Sequence, residues 1–273
     1  MAHATASLFH SVPPFYCCFI RYYSRAILLP KSNVNTFVFG LELLDNLGHD
    51  KIRRAPNSLQ MEQAEVVTQK SKDNDGSDHS SEEVFVPLRD SLLQNMVRIV
   101  PSYSGTSSGA PAWIPSVAGG VLTHCLQQRP RLQLVLADFD YLPRPDVQLG
   151  ASVERISELS YGEPLVTDMD GVDHECYLQS PYLADILFPT DFDKLARFLK
   201  NQMTNITKKR RNNQSRKRRN GREEPMPLIQ TEKQSTFLRR YGSDQVRETK
   251  SWLTGYSPLT EDFGNCTVLT MTR

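Results

Sequence analysis

Two groups of acidic side chains stand where an α/β sheet would place chemistry. Glu42, Asp45 and Asp50, with Asn46 and His49 between them, follow the β-branched and aromatic run TFVFGL at 36–41. Asp138 and Asp140 follow the continuous apolar run LQLVLA at 132–137. In an open parallel sheet, ligands lie beyond the carboxyl ends of the strands. The pattern E-x-x-D-N-x-x-H-D at 42–50 is therefore a candidate site, and Asp138 and Asp140 would form its neighbouring wall. The same carboxylates could instead cap helices or face water in a loop, and pattern alone leaves both readings open.

Other chemistries have little support. The chain has no G-x-G and no GKS or GKT, so a glycine-rich phosphate turn after a first strand is missing. Gly119-Gly120 opens a helical stretch and reads as a packing position. There is no G-x-S-x-G elbow. The histidines share no metal-ligand spacing, and the five cysteines contain no C-x-x-C, which argues against a zinc site or a disulfide framework.

The elements that must position these residues read as alternating strands and helices. Residues 36–41 form a buried strand in which Gly40 marks a close backbone approach. A turn of helix or loop follows, then a short strand at 61–67. Residues 68–83 are polar without periodicity and read as a disordered loop. Leu88, Leu92, Leu93, Met96, Val97 and Val100 make a helical stripe over 86–100. After a Ser/Gly/Pro loop at 101–112, Ser116 caps a helix that runs to about 128. The buried strand 132–137 completes the second half of a βαβ unit. Short strands at 163–168 and 174–178 flank an Asp170-Gly171 turn. Thr190, with Asp193 three residues on, starts the helix DFDKLARFLKN. Residues 204–231 read as an insertion, 232–241 as a helix, and 266–271 as a final strand.

The 273 residues suffice for one sizeable α/β core. No stretch of eighteen uncharged apolar residues exists, so no membrane span is expected. The net charge of +1 conceals a local imbalance, because residues 208–222 hold nine Lys/Arg and no acid. Without them the chain is mildly acidic. The basic run lacks the aromatic residues that single-strand binders interleave, so nucleic acid is an unlikely partner. The first acidic residue is Glu42, and the Arg-containing, Ser-bearing stretch 1–35 reads as a leader of the mitochondrial transit type.

Five blocks, in order, resemble one family. FVFGLELLDNLGHDKI at 37–52 is similar to the family's LEVLDNLPHD motif, and VPLRDSLLQNMVRIV at 86–100 to its PL-x-D-x-L helix. LVLADFDYLP at 134–143 is similar to ADFSYLP, ADILFPTDFDKLARFL at 184–199 to ADIFFPTDF, and GYSPLTEDFGNCTVLTM at 255–271 to GYNPLLEDYTNTKF. The family is that of the MidA-like S-adenosylmethionine-dependent methyltransferases, which includes the mitochondrial complex I assembly factor that methylates an arginine. The resemblance covers residue 36 to the C-terminus.

It implies the C-terminal half of a Rossmann-like class I methyltransferase sheet, an α/β fold, with disordered loops and a basic insertion. The domain would span 36–273, after the leader 1–35. The glycine-rich cofactor half of the family precedes the first matched block and has no counterpart here. The implied cofactor is S-adenosylmethionine. The implied partner is a protein substrate, a complex I subunit, in the mitochondrial matrix. By position in the family motif, Glu42, Asp45 and His49 would be catalytic, and Asn46, Asp138 and Asp140 would bind substrate. Two other functions are weighed against this one: a non-catalytic relative that holds an assembly partner, and a basic-tailed nucleic-acid adaptor. An open sheet edge at 36–41 is expected in either case.

Overall fold

A computed structural model describes residues 35–70, 79–104, 110–142, 162–174, 176–178, 184–215 and 227–272. Residues 1–34 of the expected leader 1–35 and residues 216–226 of the expected insertion 204–231 lie outside the described residues.

The central sheet has four strands in the order β1 (Thr36–Leu41), β6 (Leu132–Phe139), β11 (Cys266–Thr272), β10 (Leu228–Lys233). β1 and β6 are parallel, with Gly40 opposite Leu136. β11 inserts antiparallel between β6 and β10. The sheet is therefore mixed, as in the Rossmann-like class expected from sequence. Alternation along β6 explains its placement: Leu132, Leu134, Leu136 and Asp138 are buried on one face. A Cβ on Gly40 would stand 2.8 Å from the Leu136 side chain, which is the close approach the sequence suggested.

Three helices close the buried face. α1 (Ser91–Ile99) is capped by Asp90, whose Oδ1 accepts from the Leu93 amide at 2.8 Å, and it buries Leu93 and Met96. α2 (Ser116–Gln128) runs between β1 and β6 in the chain and buries Ala118, Leu122 and Leu126. α3 (Phe192–Ser215) contributes Leu195, Phe198, Leu199 and Met203, spaced at helical intervals. The three meet at Gly119, where a Cβ would lie 3.0 Å from Met96 and 3.3 Å from Phe198. The glycine pair is thus a packing position. α4 (Gln234–Tyr241) follows β10 directly and lies near β10 and β11, and α5 (Ser243–Glu248), with Val246 buried, and α6 (Pro258–Glu261) follow it.

A second, antiparallel sheet has the order β4 (His79–Pro87), β3 (Met61–Lys70), β2 (Asp50–Arg54), β5 (Ala112–Ile114). A third comprises β8 (Asp173–His174), β7 (Leu165–Thr167) and β9 (Asp185–Leu187).

Several expectations are corrected. In the expected disordered loop 68–83, residues 68–70 and 79–83 are strand, since β3 and β4 pair continuously from Glu62↔Pro87 to Lys70↔His79, while 71–78 lie outside the described residues. Backbone pairing carries a two-stranded ribbon whose faces are both half-wet, so side-chain polarity does not mark it as a loop. Within the expected insertion 204–231 the described residues are helix up to Ser215, with Ile206 packed on the core, and strand from Leu228. Ser116 is the first helical residue and not the cap; Pro115 holds the cap position, and the Ser116 hydroxyl donates to Asp50 Oδ2. Asp191, not Thr190, caps α3, accepting from the Lys194 amide at 3.0 Å. Thr190 is drawn into the interior because its own amide donates to the Phe139 carbonyl at 2.9 Å.

Candidate active-site wall

β1 and β6 point their carboxyl ends the same way, and their last residues deliver the acidic clusters to one place. Glu42 leaves β1 with φ 48°, in the left-handed region that a glutamate rarely occupies. Its amide remains in the sheet, donating to the Ala137 carbonyl at 3.0 Å. The chain then turns sharply back over β6, and Glu42 is left exposed at the rim.

Asp138 is what fixes that turn. One carboxylate oxygen, Oδ2, accepts from the amides of Leu44 at 2.6 Å and Asp45 at 3.3 Å, and Oδ1 accepts from the Phe139 amide at 2.8 Å. Asp138 is buried, and burial together with the nearby Asp45 raises its pKa from 3.8 to about 6. Asp45 is buried too, and its pKa is likewise raised, mainly by burial. Its Oδ1 accepts from Asn46 Nδ2 at 2.8 Å, and its carbonyl accepts from the Phe188 amide at 2.8 Å. Asn46 itself is exposed beside Glu42.

The structure therefore brings Glu42, Asp45, Asn46 and Asp138 together. Glu42 and Asn46 face outward, while Asp45 and Asp138 hold the turn from beneath. Asp140 is engaged elsewhere: Oδ2 takes an ion pair from Lys233 of β10 and accepts from Thr267 Oγ1 of β11 at 2.6 Å. Asp140 thus ties the three strands together at this end of the sheet.

His49 leaves the carboxylates for an aromatic cluster. Its ring stacks on Phe188 at 4.7 Å, and Nδ1 hydrogen-bonds with the Leu47 carbonyl at 3.0 Å. Burial pushes its pKa down to about 4, so the ring is neutral at pH 7, with Nδ1 as the donor. Nε2 is buried and has no hydrogen-bond partner. Trp113 completes the cluster, tilted against Phe188 at 5.5 Å and edge-on to Tyr177 at 5.6 Å. Lys51 lies 5.3 Å over the Trp113 ring and pairs with Glu83 at 2.9 Å.

Sequence reasoning missed this cluster, because Lys51, Trp113, Tyr177 and Phe188 come from segments with no common motif. Cys266 is a buried thiol at the start of β11. Burial, together with the Asp138, Asp140 and Glu42 carboxylates, pushes the Cys266 thiol up to about 11. Only the adjacency of β11 to β6 reveals this neighbourhood.

Among the described residues no group of His, Cys, Asp or Glu could hold a metal ion. Gly40 is filled by Leu136, and Gly119 and Gly120 lie inside α2 against Met96 and Leu92. No described helix is long and apolar enough to cross a membrane.

Comparisons with known proteins agree with this architecture. A family described as "Putative S-adenosyl-L-methionine-dependent methyltransferase" matches residues 20–208. No curated protein matches the chain. An uncharacterized protein from Burkholderia thailandensis, in a native crystal structure, superposes with a TM-score of 0.53 at 14% identity, covering 90% of this chain and 57% of its own. A second structure of the same superfamily from Burkholderia thailandensis, bound to S-adenosyl-homocysteine, gives 0.54 at 11% identity, covering 89% of this chain and 55% of its own. The chain thus spans little more than half the length of the solved structures it matches.

Proposed function

The chain belongs to this S-adenosyl-L-methionine-dependent methyltransferase family, and on that premise we propose that it forms the substrate-side wall of a protein arginine methyltransferase. The observation that carries the reading is Glu42, exposed and held with φ 48° at the carboxyl end of the parallel β1–β6 pair. A strained backbone at a strand end is the kind of feature that functional sites retain.

The reaction of this family is methyl transfer from a sulfonium cofactor. The described residues show no glycine-rich G-x-G turn for its nucleoside, and Gly40, Gly119 and Gly120 are packed against side chains. What they do offer concerns the acceptor. A carboxylate binds a guanidinium through paired charge-assisted hydrogen bonds, which fixes the plane of the acceptor and localises its charge away from the reacting nitrogen. Glu42 is placed to do this, and Asn46 beside it can accept or donate to the peptide that carries the arginine. Asp45 and Asp138 act as positioning residues, since they hold the turn that sets Glu42. His49 is neutral and its Nε2 is enclosed, so we assign it to packing the aromatic cluster under that turn and not to proton transfer. Asp140 ties β6 to β10 and β11.

By the resemblance of its five sequence blocks, the substrate is an arginine of a complex I subunit and the setting the mitochondrial matrix. The test is a calorimetric titration of the full chain with S-adenosylmethionine, followed by a labelled methyl-transfer assay on arginine peptides. Binding at about micromolar Kd with transfer to arginine, and loss of transfer with cofactor binding kept in Glu42→Gln, supports the reading. A folded chain that takes up no cofactor at about millimolar concentration supports the second reading, a partner-binding assembly protein, which the exposed apolar face of β1 favours.

A further inference from the structure

The two ends of the central sheet differ in charge. At the carboxyl ends of β1 and β6 stand Glu42, Asp45, Asp138 and Asp140. The opposite end lies about 25 Å away along β6. The segments of the sheet and of α2 and α3 that reach it are free of acid: residues 117–137, 194–222, 225–231 and 264–273 contain no Asp or Glu. Two segments distant in sequence bring cations there. The α2–β6 connection supplies Arg129 and Arg131, and the Arg131 carbonyl accepts from the Thr36 amide at 3.2 Å. α3 arrives alongside, where Met203, Ile206 and Thr207 line one crevice with Leu126, Pro130 and Met271. Arg210 then donates to the Gln127 carbonyl in the last turn of α2 at 3.1 Å, which fastens α3 where its basic run begins. Lys208 and Lys209 are exposed beside it, and the helix backbone continues to Ser215. Among the described residues Arg129, Arg131, Lys208 and Lys209 have no carboxylate partner, whereas Lys51, Arg53, Lys194, Lys233 and Arg240 each have one.

We propose that this acid-free end binds duplex DNA, with phosphates held by Arg129, Arg131, Lys208 and Lys209 and the end of α3 laid against the major groove. The inference stands apart from the methyltransferase reading. Linear charge density favours a polyanion over an acidic protein surface. Lys208, Lys209, Arg210 and Arg211 follow one another at about 1.5 Å of helix rise, close to the one phosphate charge per ~1.7 Å of a duplex. An α-helix fits the ~12 Å major groove of B-form DNA, whereas the A-form groove of duplex RNA is too deep and narrow to be read by side chains. The helix continues with Asn212, Asn213 and Gln214, residue types that can hydrogen-bond an adenine edge. A single strand fits less well, because the run offers no aromatic ring for unstacked bases, and a duplex needs none. A bilayer fits less well too, since residues 207–222 contain no apolar side chain to enter it. Contacts to phosphate carry affinity with little sequence preference. The carboxylates at the far end of the sheet repel the duplex and so confine it to this pole.

The test follows the fluorescence anisotropy of a labelled DNA duplex of about 20 base pairs, titrated with the full chain between about 50 and 400 mM salt. The expected Kd is in the micromolar range at about 0.1 M salt, with log K falling against log salt at a slope of about −4 or steeper. Arg131→Gln is the deciding variant, because Arg131 neighbours the basic run only in the folded chain. It should reduce the slope by about 1 and weaken binding about eightfold at about 0.1 M salt. Lys208→Gln combined with Lys209→Gln should reduce the slope by about 2. Lys250→Gln, at an exposed lysine between β10 and β11, should change neither. Thermal melts that match the parent show each variant folded. No binding at about 50 mM salt overturns the proposal. So does an Arg131→Gln variant that binds like the parent, since the charge run alone would then account for the affinity. Equal or tighter binding of single-stranded DNA, duplex RNA, poly-glutamate or phosphatidylserine vesicles overturns it as well.

Discussion

Asp138→Asn tests whether a buried carboxylate holds the turn beneath Glu42. In the folded protein the pKa of Asp138 is raised from 3.8 to about 6, chiefly by burial and secondarily by Asp45. Two units correspond to about 3 kcal/mol of difference between its protonation states. Because the folded state keeps this proton to higher pH than the unfolded chain, stability falls as pH rises through the interval. The contribution is fully present below about pH 4 and is lost above about pH 6. An asparagine cannot ionise. It also turns an NH2 group toward one of the amides of Leu44, Asp45 or Phe139 that the carboxylate now serves, at a cost of about 1–3 kcal/mol. That cost is constant with pH. The difference in stability between variant and parent should therefore move in the variant's favour by up to about 3 kcal/mol between about pH 4 and pH 8. Urea unfolding at both pH values, followed by tryptophan fluorescence, measures it. A difference that stays flat within about 0.5 kcal/mol, or that moves against the variant, refutes the raised pKa of Asp138.

The remaining predictions separate function from structure. Glu42→Gly should raise stability by up to about 1 kcal/mol by relieving the positive φ, while abolishing arginine methylation; a loss of both would make Glu42 a structural residue. Asp191→Ala should cost about 1 kcal/mol by uncapping α3, whereas Thr190→Val should be neutral or stabilising because the buried hydroxyl has no partner. Thermal melts of the pair decide which residue is the cap. Phe198→Ala should cost about 3–5 kcal/mol, since it removes a fully buried ring from the junction of three helices. His49, with its pKa pushed down to about 4, should show no change in imidazole chemical shifts between about pH 6 and 8; a midpoint in that range would place the ring in contact with solvent.

The parts of the fold that could be read from sequence were those whose side chains report their surroundings. LQLVLA announces β6 because that strand is partnered on both edges, with Leu132, Leu134 and Leu136 buried and the residues between them half-buried. The stripe from Leu88 to Val100 announces α1, and Asp138 and Asp140 mark a strand end correctly. The hairpin of β3 and β4 could not be read, because its polar residues are held by backbone pairing and not by burial. The extension of α3 through Ser215 was hidden for the opposite reason: Met203 and Ile206 continue the buried stripe, but the lysines and arginines around them dominate the composition.

The candidate site shows the same division at closer range. Glu42 through Asp50 were legible as a cluster because they are contiguous, yet contiguity could not sort them. The distinction between a side chain that faces substrate and one that holds the backbone depends on where the turn folds, and Asp138, 94 residues from Leu44 in the chain, decides that. A buried carboxylate serving three amides is committed to the fold, and an exposed one on a strained residue is free for a ligand. By this criterion Glu42 and Asn46 are the members of the cluster that remain available to a ligand.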